Sequence, residues 1–539
     1  MSRSAQVRAV WLLWILAAAA WLAPLASGYF LADDFAFVLT LARSDARGAL
    51  LHDTASAFFT GQAAGHSHFY RPLAHATFAA NYVLFGANAS AWILVNAVIH
   101  LGCAILVGAL ALQLHDDRTW RAHAAALGGA TIFLCFAPGL EAAAWASART
   151  DALATFFSLA ACLAFAKGHA RWDRWTAISL VAFVAAMLSK ESAAIVPPAI
   201  LLLALWRRRS EALSLWARLT SALVDALPWI ALGLAYLALR YAMFGSAIVV
   251  YEQSSPGNFL LEPTRWIAFV RSAVPWFAAQ VPVQGPRAAL MVLLAVFGVG
   301  CIAVVISDRD KRAGVAVALA LVFLPVALLA PHAALLSDGS GGRLLHLSGA
   351  FLGVLAGVAG ASNLARGAVL AAVLFLAVAV ASTGTRARNR WIATGFEMQA
   401  VAAQVAQLHA RASGNEYDLV VLPSNRGPAP FGVQAQAGLM QPPVQQASLS
   451  DRVLVQVDDE VAGIAIGFQR GIIANLRRLR LEDLDTKGVE GAAEYPSRVF
   501  CWVPGTARLA ELPSSPDTSP AAWTDAVRGA MKAAGCTAS

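Results

Sequence analysis

The chain has 539 residues, of which 58% are hydrophobic and only 13% charged, with a net charge of +8. Its mean hydropathy is +0.61. That balance excludes an ordinary soluble domain and marks a multi-span membrane protein with room for a smaller soluble part. The modest positive charge sits between apolar runs, which points to membrane topology rather than to nucleic-acid binding.

The first apolar run, 8–30, follows Arg3 and Arg8. It resembles a signal peptide at its start, but its length and the many later runs favour an uncleaved first span. It ends in Gly28-Tyr-Phe-Leu-Ala-Asp-Asp-Phe-Ala-Phe37, so that Asp33 and Asp34 stand beside aromatic residues at a membrane face. Carboxylates are costly in lipid, and such a pair must meet water, a cavity or a substrate. Ten further runs give candidate spans at 90–113, 124–140, 151–167, 174–189, 192–206, 222–244, 287–306, 313–332, 344–361 and 366–383, about eleven in all. The runs 174–189 and 192–206 are short, separated by Ser189-Lys-Glu-Ser192. The stretch 264–285, with Arg265, Trp266, Arg271 and Trp276, reads as an interfacial or re-entrant helix.

Lys and Arg orient this bundle. The amino terminus and the loops holding Arg118/Arg121, Lys167/Arg171/Arg174, Arg207–Arg209, Arg309/Lys311/Arg312 and Arg366 form the cytoplasmic set by the positive-inside rule. The alternate loops, 31–89, 141–150, 189–192, 245–286 and 333–343, are then extracytoplasmic, as is the chain beyond 384. Those outer loops collect Asp33 and Asp34, His68-Phe-Tyr-Arg-Pro-Leu73, Glu141, Trp145, Arg149, Asp151, Lys190, Glu191 and Arg343. A carboxylate can take a proton from a hydroxyl. Arg and Lys can hold a phosphate. Structural readings stand beside these: a helix cap for Asp33/Asp34, an ion-pair network for Glu141, Arg149 and Asp151, a local pair for Lys190–Glu191, and a snorkelling Arg240. His75 and His100 read more readily as packed or hydrogen-bonded residues than as ligands. No His, Cys or acidic spacing makes a metal site, and there is no P-loop or dinucleotide fingerprint, so no cofactor is expected, although a divalent metal is not excluded.

The carboxy-terminal part, 384–539, changes character, with fewer apolar runs and more Gln, Pro, Gly and Asp. Residues 391–411 and 522–534 read as helices, and 418–423, 453–457 and 499–503 as short buried strands, which together fit a small α/β domain. Of six cysteines, Cys103, Cys135, Cys162 and Cys301 fall in spans as packing residues, whereas Cys501 and Cys536 fall outside and are disulfide candidates.

The ordered set of segments resembles the type C glycosyltransferase superfamily, and within it the protein O-mannosyltransferase-like branch. It comprises Asp33-Asp-Phe35, Phe69-Tyr-Arg-Pro-Leu73, His75, Asn81, Val95-Asn-Ala-Val-Ile-His100, Glu141 to Asp151, Leu188-Ser-Lys-Glu191, Gly342-Arg-Leu-Leu-His-Leu-Ser348 and Arg388-Asn-Arg-Trp391, across 8–391. The resemblance implies a transmembrane catalytic domain, 1–383, with a catalytic first outer loop, 31–89, followed by an extracytoplasmic domain, 384–539. It implies a polyprenyl-phosphate-sugar donor, with a protein, lipid or glycan acceptor. Asp33 would be the general base with Asp34 as fallback. Arg71, Arg149, Lys190 and Arg343 would bind the donor phosphate. Tyr70, His100, Glu141, Asp151 and Glu191 would support them. Leu344 and His346 stand where that branch has tyrosines, and no ~34-residue repeat follows the membrane part. An oligosaccharide transferase or glycan ligase is the alternative reading, and a lipid-linked sugar transporter is another. The Ala- and Arg-rich composition points to a bacterial inner membrane.

Overall fold

The computed structural model describes residues 3–60, 69–115, 118–168, 172–245, 287–307, 311–329, 341–362, 367–411, 418–427, 429–432, 435–450, 452–457, 498–513 and 520–536. His68 and the segment 264–285 lie outside them. By contact the chain forms two compact units. One comprises Met1–Ala26, His52–Thr77 and Ile93–Arg390; the other comprises Ser27–Leu51, Phe78–Trp92 and Trp391–Ser539. The segment carrying Asp33 and Asp34 therefore groups with the carboxy-terminal residues.

The helices in chain order are α1 (Arg3–Leu22), α2 (Asp34–Ala46), α3 (Leu50–Thr60), α4 (Pro72–Phe85), α5 (Ala89–Gln113), α6 (Trp120–Leu134), α7 (Glu141–Ala144), α8 (Arg149–Lys167), α9 (Arg174–Met187), α10 (Val196–Arg207), α11 (Leu215–Phe244), α12 (Arg287–Ser307), α13 (Arg312–Leu329), α14 (His346–Gly360), α15 (Ala368–Arg411), α16 (Gln436–Leu439) and α17 (Pro520–Ala533). The chain is a polytopic helical membrane protein, and each of the eleven apolar runs carries a helix. Among the described residues, six helices are long and apolar enough to cross a bilayer alone, or seven if the bent pair of α6 with 137–144 is one span. Two departures from a straight, full-length span have local causes. Helix α10 has 12 residues after a 3-10 turn, about 18 Å of rise against a hydrocarbon core of about 30 Å. The α6 helix stops near Phe136 and Pro138, and the chain bends by 60° there.

In the first unit, α6 packs on α14, α8 on α9, and α10 on both α8 and α11. Its outward faces carry Leu12, Leu16, Val181, Leu234, Ile302, Phe323 and Phe375, all exposed, as lipid-facing surfaces require. The α6–α14 seam is built on glycine. A Cβ at Gly129 would lie 2.1 Å from the carbonyl oxygen of Gly353, and one at Gly353 would lie 2.6 Å from that of Gly129. Only residues without a side chain let the two backbones come so close.

The second unit contains a two-stranded sheet of β2 (Asn425–Arg426) and β3 (Ala429–Pro430) and a four-stranded sheet in the order β4 (Val453–Val457), β1 (Asp418–Leu422), β5 (Arg498–Val503), β6 (Arg508–Leu512). Strand β1 is parallel to β4 and β5, and β6 runs antiparallel to β5. Alternation divides its faces. Leu419, Val421, Val499 and Cys501 pack with Val527 and Met531 of α17. Opposite, the Trp502 indole donates to Glu397 on α15 at 3.0 Å. Met398, Val401, Val405 and Leu408 are buried at helical spacing along α15. Cys501 and Cys536 are disulfide-bonded with a Cα–Cα distance of 5.9 Å. The span cysteines Cys103, Cys135, Cys162 and Cys301 are free and buried.

Candidate active site

The first unit gathers most of the charged candidates. Between α6 and α8 the chain makes a buried corner of short turns, Ala137–Leu140, α7 and Ala146–Ala148. Such a corner exposes carbonyls that no helix satisfies. Asn96, fully buried on α5, supplies the donors. Its amide reaches the carbonyls of Ala142 (3.2 Å), Trp145 (2.8 Å) and Ala146 (3.3 Å). Its oxygen accepts from Arg149 Nε at 2.7 Å. Arg149 also donates to the Thr77 carbonyl at 3.2 Å and is wholly buried. Asn96 is a positioning residue that sequence reasoning did not single out.

Two ion-pair groups flank this corner. Lys190 Nζ lies 2.6 Å from both oxygens of Asp151. Arg343 pairs with Glu141, donates to it again through its backbone N–H at 3.2 Å, and stands 3.9 Å from Asp151. Its guanidinium lies 4.8 Å over the Trp145 ring. In the second group Arg71 donates from Nε and a terminal nitrogen to one oxygen of Glu191 at 3.2 and 3.0 Å. Arg240 donates to the other oxygen at 2.8 Å. Arg240 is 1% exposed and paired, so it does not snorkel. The Arg71 guanidinium covers Phe69 at 4.2 Å, and the neighbouring Tyr70 hydroxyl donates to the Phe58 carbonyl at 2.8 Å. The chain is extended at Lys190 (φ −165°) before it turns into the 3-10 helix Glu191–Ile195, and the two adjacent side chains reach different partners. They are not a local pair. Burial pushes the Glu191 carboxyl up, but Arg71, a backbone hydrogen bond and Arg240 outweigh it and hold it below the usual range.

Four cationic side chains, Arg71, Lys190, Arg240 and Arg343, thus meet three carboxylates, Glu141, Asp151 and Glu191, and a fifth, Arg149, is held by Asn96. The positive excess suits an anionic group, and the guanidinium forks suit a phosphate. Arg71 and Arg343 remain 17% and 24% exposed, whereas Arg149 is shut away.

Deeper in the same unit, His100 Nδ1 lies 2.9 Å from His346 Nε2, and His346 Nδ1 lies 2.9 Å from Thr155 Oγ1. His100 Nε2 reaches the Leu134 carbonyl at 3.0 Å. The pair ties α5 to the start of α14, just after Arg343. A separation of 246 residues left no local signal for it. Among the described residues no group of three or more His, Cys or acidic side chains could hold a metal.

Asp33 and Asp34 belong to the second unit. Asp34 is buried and accepts from the Leu31 N–H at 3.0 Å, a structural bond. Asp33 takes the N-cap position of α2 without a side-chain capping bond. It follows Ala32, whose φ is +47°, a left-handed conformation that costs a residue with a Cβ about 1–2 kcal/mol. The Ala32 N–H donates to the Phe431 carbonyl at 3.1 Å and fixes this bend. Phe30 and Phe35 pack edge-on below it at 6.1 Å, and Phe30 meets Trp92 at 5.7 Å.

No family profile matches the sequence. No curated protein matches it either. Among solved structures, the chain is similar to ArnT from Cupriavidus metallidurans bound to undecaprenyl phosphate, at 15% identity and a TM-score of 0.43 over 84% of this chain and 91% of that one. The apo state of that protein matches at 15% identity and a TM-score of 0.32, over 86% and 92% of the two chains. The arabinofuranosyltransferase AftD from Mycobacteria matches at 15% identity and a TM-score of 0.44, over 96% of this chain but 36% of that one. None of the three carries a residue role to this chain.

Proposed function

We propose that this protein is a membrane glycosyltransferase of the type C kind, which moves one sugar from a polyprenyl phosphate to an acceptor hydroxyl at the extracytoplasmic face. The observation that supports the reading is the cationic cluster of the first unit, in which four basic side chains outnumber their three carboxylates beside Trp145 and Phe69. Arg71 and Arg343 are the partly exposed forks for the donor phosphate, together with Lys190. Arg149, bonded to Asn96 and Thr77, holds the corner in place. Asp33, the first acid of the pair that the sequence resemblance points to, is the general base.

In this reaction the acceptor oxygen bonds to the anomeric carbon as that carbon's bond to the phosphate oxygen breaks. The hydroxyl proton passes to Asp33, and the leaving phosphate keeps the electron pair. Arg and Lys stabilise its growing charge. A single displacement inverts the anomeric centre. Membership of the O-mannosyltransferase-like branch follows from the sequence resemblance.

The test is transfer of label from a polyprenyl-phosphate monosaccharide in membranes. General-base help is worth about 10²–10⁴-fold, so Asp33→Asn should lose that much turnover at equal protein level. Retained transfer in a well-expressed Asp33→Asn, Asp34→Asn double variant refutes the base assignment.

A further inference from the structure

The opposite ends of the same helices hold a second basic site that the transfer reaction does not use. Helix α8 starts at Arg149 in the cationic cluster and ends at Lys167, 19 residues in all, about 27 Å away along its axis. There, with the end of α10 and the start of α11, it borders a cavity of about 510 Å³. The cavity is walled by Phe165, Trp206 and Trp229 and lined by Arg207, Arg208 and Arg209.

The three arginines are not equivalent. Arg208 is neutralised: its Nε and one terminal nitrogen donate to Asp225 at 3.1 and 2.7 Å, and its other terminal nitrogen donates to Glu211 at 3.2 Å. Arg209 folds back over the Trp206 ring at 4.4 Å and donates to the Trp206 carbonyl at 3.1 Å. Arg207, among the described residues, has neither a hydrogen bond nor an ion pair, and its guanidinium lies 5.0 Å over the Phe165 ring. Basic residues at a helix carboxy terminus often serve only the helix dipole and the membrane topology. That role needs no cavity, no aromatic walls and no desolvated, half-buried fork. The two carboxylates of the cavity are both engaged by Arg208, so an anion entering it meets net positive charge.

We propose that this cavity binds a phosphate group, with Arg207 as its principal ligand and the indole rings beside it covering the adjoining apolar atoms. Basic pockets between transmembrane helices are suited to anionic headgroups. The phosphate comes either from an anionic phospholipid or from free phosphate, and the experiment separates the two.

The purified full chain is reconstituted in nanodiscs of phosphatidylcholine containing phosphatidylglycerol, and retained lipid is counted by native mass spectrometry after extraction. In parallel, labelled inorganic phosphate is titrated onto the detergent-solubilised chain by equilibrium dialysis. Wild type should retain phosphatidylglycerol over phosphatidylcholine, or bind phosphate, and Arg207→Gln should weaken whichever is seen by about tenfold or more, the loss of one charge-assisted contact. Phosphatidylglycerol retention without phosphate binding assigns the lipid; phosphate binding without retention assigns the free anion. If Arg207→Gln does not fold, Arg207→Lys decides, because it keeps the charge and loses the fork. Binding of neither probe, or binding indifferent to Arg207, overturns the proposal. Neither readout involves turnover, so this result stands apart from that of the Asp33 experiment.

Discussion

Replacing Lys190 by Met leaves the Asp151 carboxylate, 5% exposed, without its 2.6 Å partner. What remains around Asp151 is a 3.4 Å contact from the Thr150 hydroxyl and Arg343 at 3.9 Å, too far to hydrogen-bond. Breaking a buried pair from one side costs about 3–5 kcal/mol, because the surviving charge is stranded. The Lys190→Met variant should therefore lose roughly two to nearly four orders of magnitude in its folded-to-unfolded ratio. Adding Asp151→Asn removes the stranded charge and should return all but about 1–2 kcal/mol. Transfer activity should not return with it. If Lys190 contacts the donor phosphate, the double variant folds but stays about 10–100-fold slower, the worth of one charge-assisted hydrogen bond. Denaturant unfolding of the purified protein gives the first quantity, and label transfer from a polyprenyl-phosphate sugar gives the second. Two results would refute the reasoning. A loss below about 1 kcal/mol in the single variant would mean that the pair is solvated. Full activity in the double variant would reduce Lys190 to a structural residue.

Two further predictions concern other parts of the molecule. Glu191 is held below its ordinary value of 4.5 in the folded chain, so its pairs with Arg71 and Arg240 stabilise the protein fully above the unfolded value, and that stability is lost as pH falls through the folded one. Unfolding midpoints from pH 6 to 3 should fall more steeply for wild type than for Glu191→Gln, and equal slopes would show that the carboxylate is not coupled to folding. The Cys501–Cys536 bond closes a loop with a sequence separation of 35. Cys501→Ser should lower stability by about 2–4 kcal/mol, with the loss read by the Trp502 signal during unfolding and unaffected by added reductant.

The helices and the sheet were legible because their signals are local. Each of the eleven apolar runs marked a helix, and β-branched runs such as Val453-Leu-Val-Gln-Val457 marked strands, whereas α2, α3 and α4 lie in the stretch 31–89 read as an outer loop. The length of each helix was less legible, since a run such as 192–206 shows its apolarity but not that the helix begins only at Val196. The cluster was legible as a list of residues and not as a set of partners. Glu191 could have paired with its neighbour Lys190, yet it takes Arg71 and Arg240, 120 and 49 positions away. Arg240 was read as snorkelling for the same reason. His346, noted only as a departure from tyrosine, forms half of a buried histidine pair with His100, and Asn96 gave no sign of the three carbonyls it serves. Asp33 and Asp34 read alike in sequence. The bond from Leu31 now separates them, giving Asp34 a role in the bend and leaving the Asp33 side chain out of helix capping.

The glycine seam between α6 and α14 also bears on Glu141 and Arg343. Glu141 follows the end of α6, and Arg343 immediately precedes α14, so each partner of this ion pair hangs from one rail of the seam. The distance between the rails is set where Gly129 and Gly353 touch, within about two turns of the helix ends. The seam thus acts as a gauge block: one extra methyl group there would widen the gap at the charged end without touching any charged residue, and the chain would report a packing error as a loss of electrostatic fit.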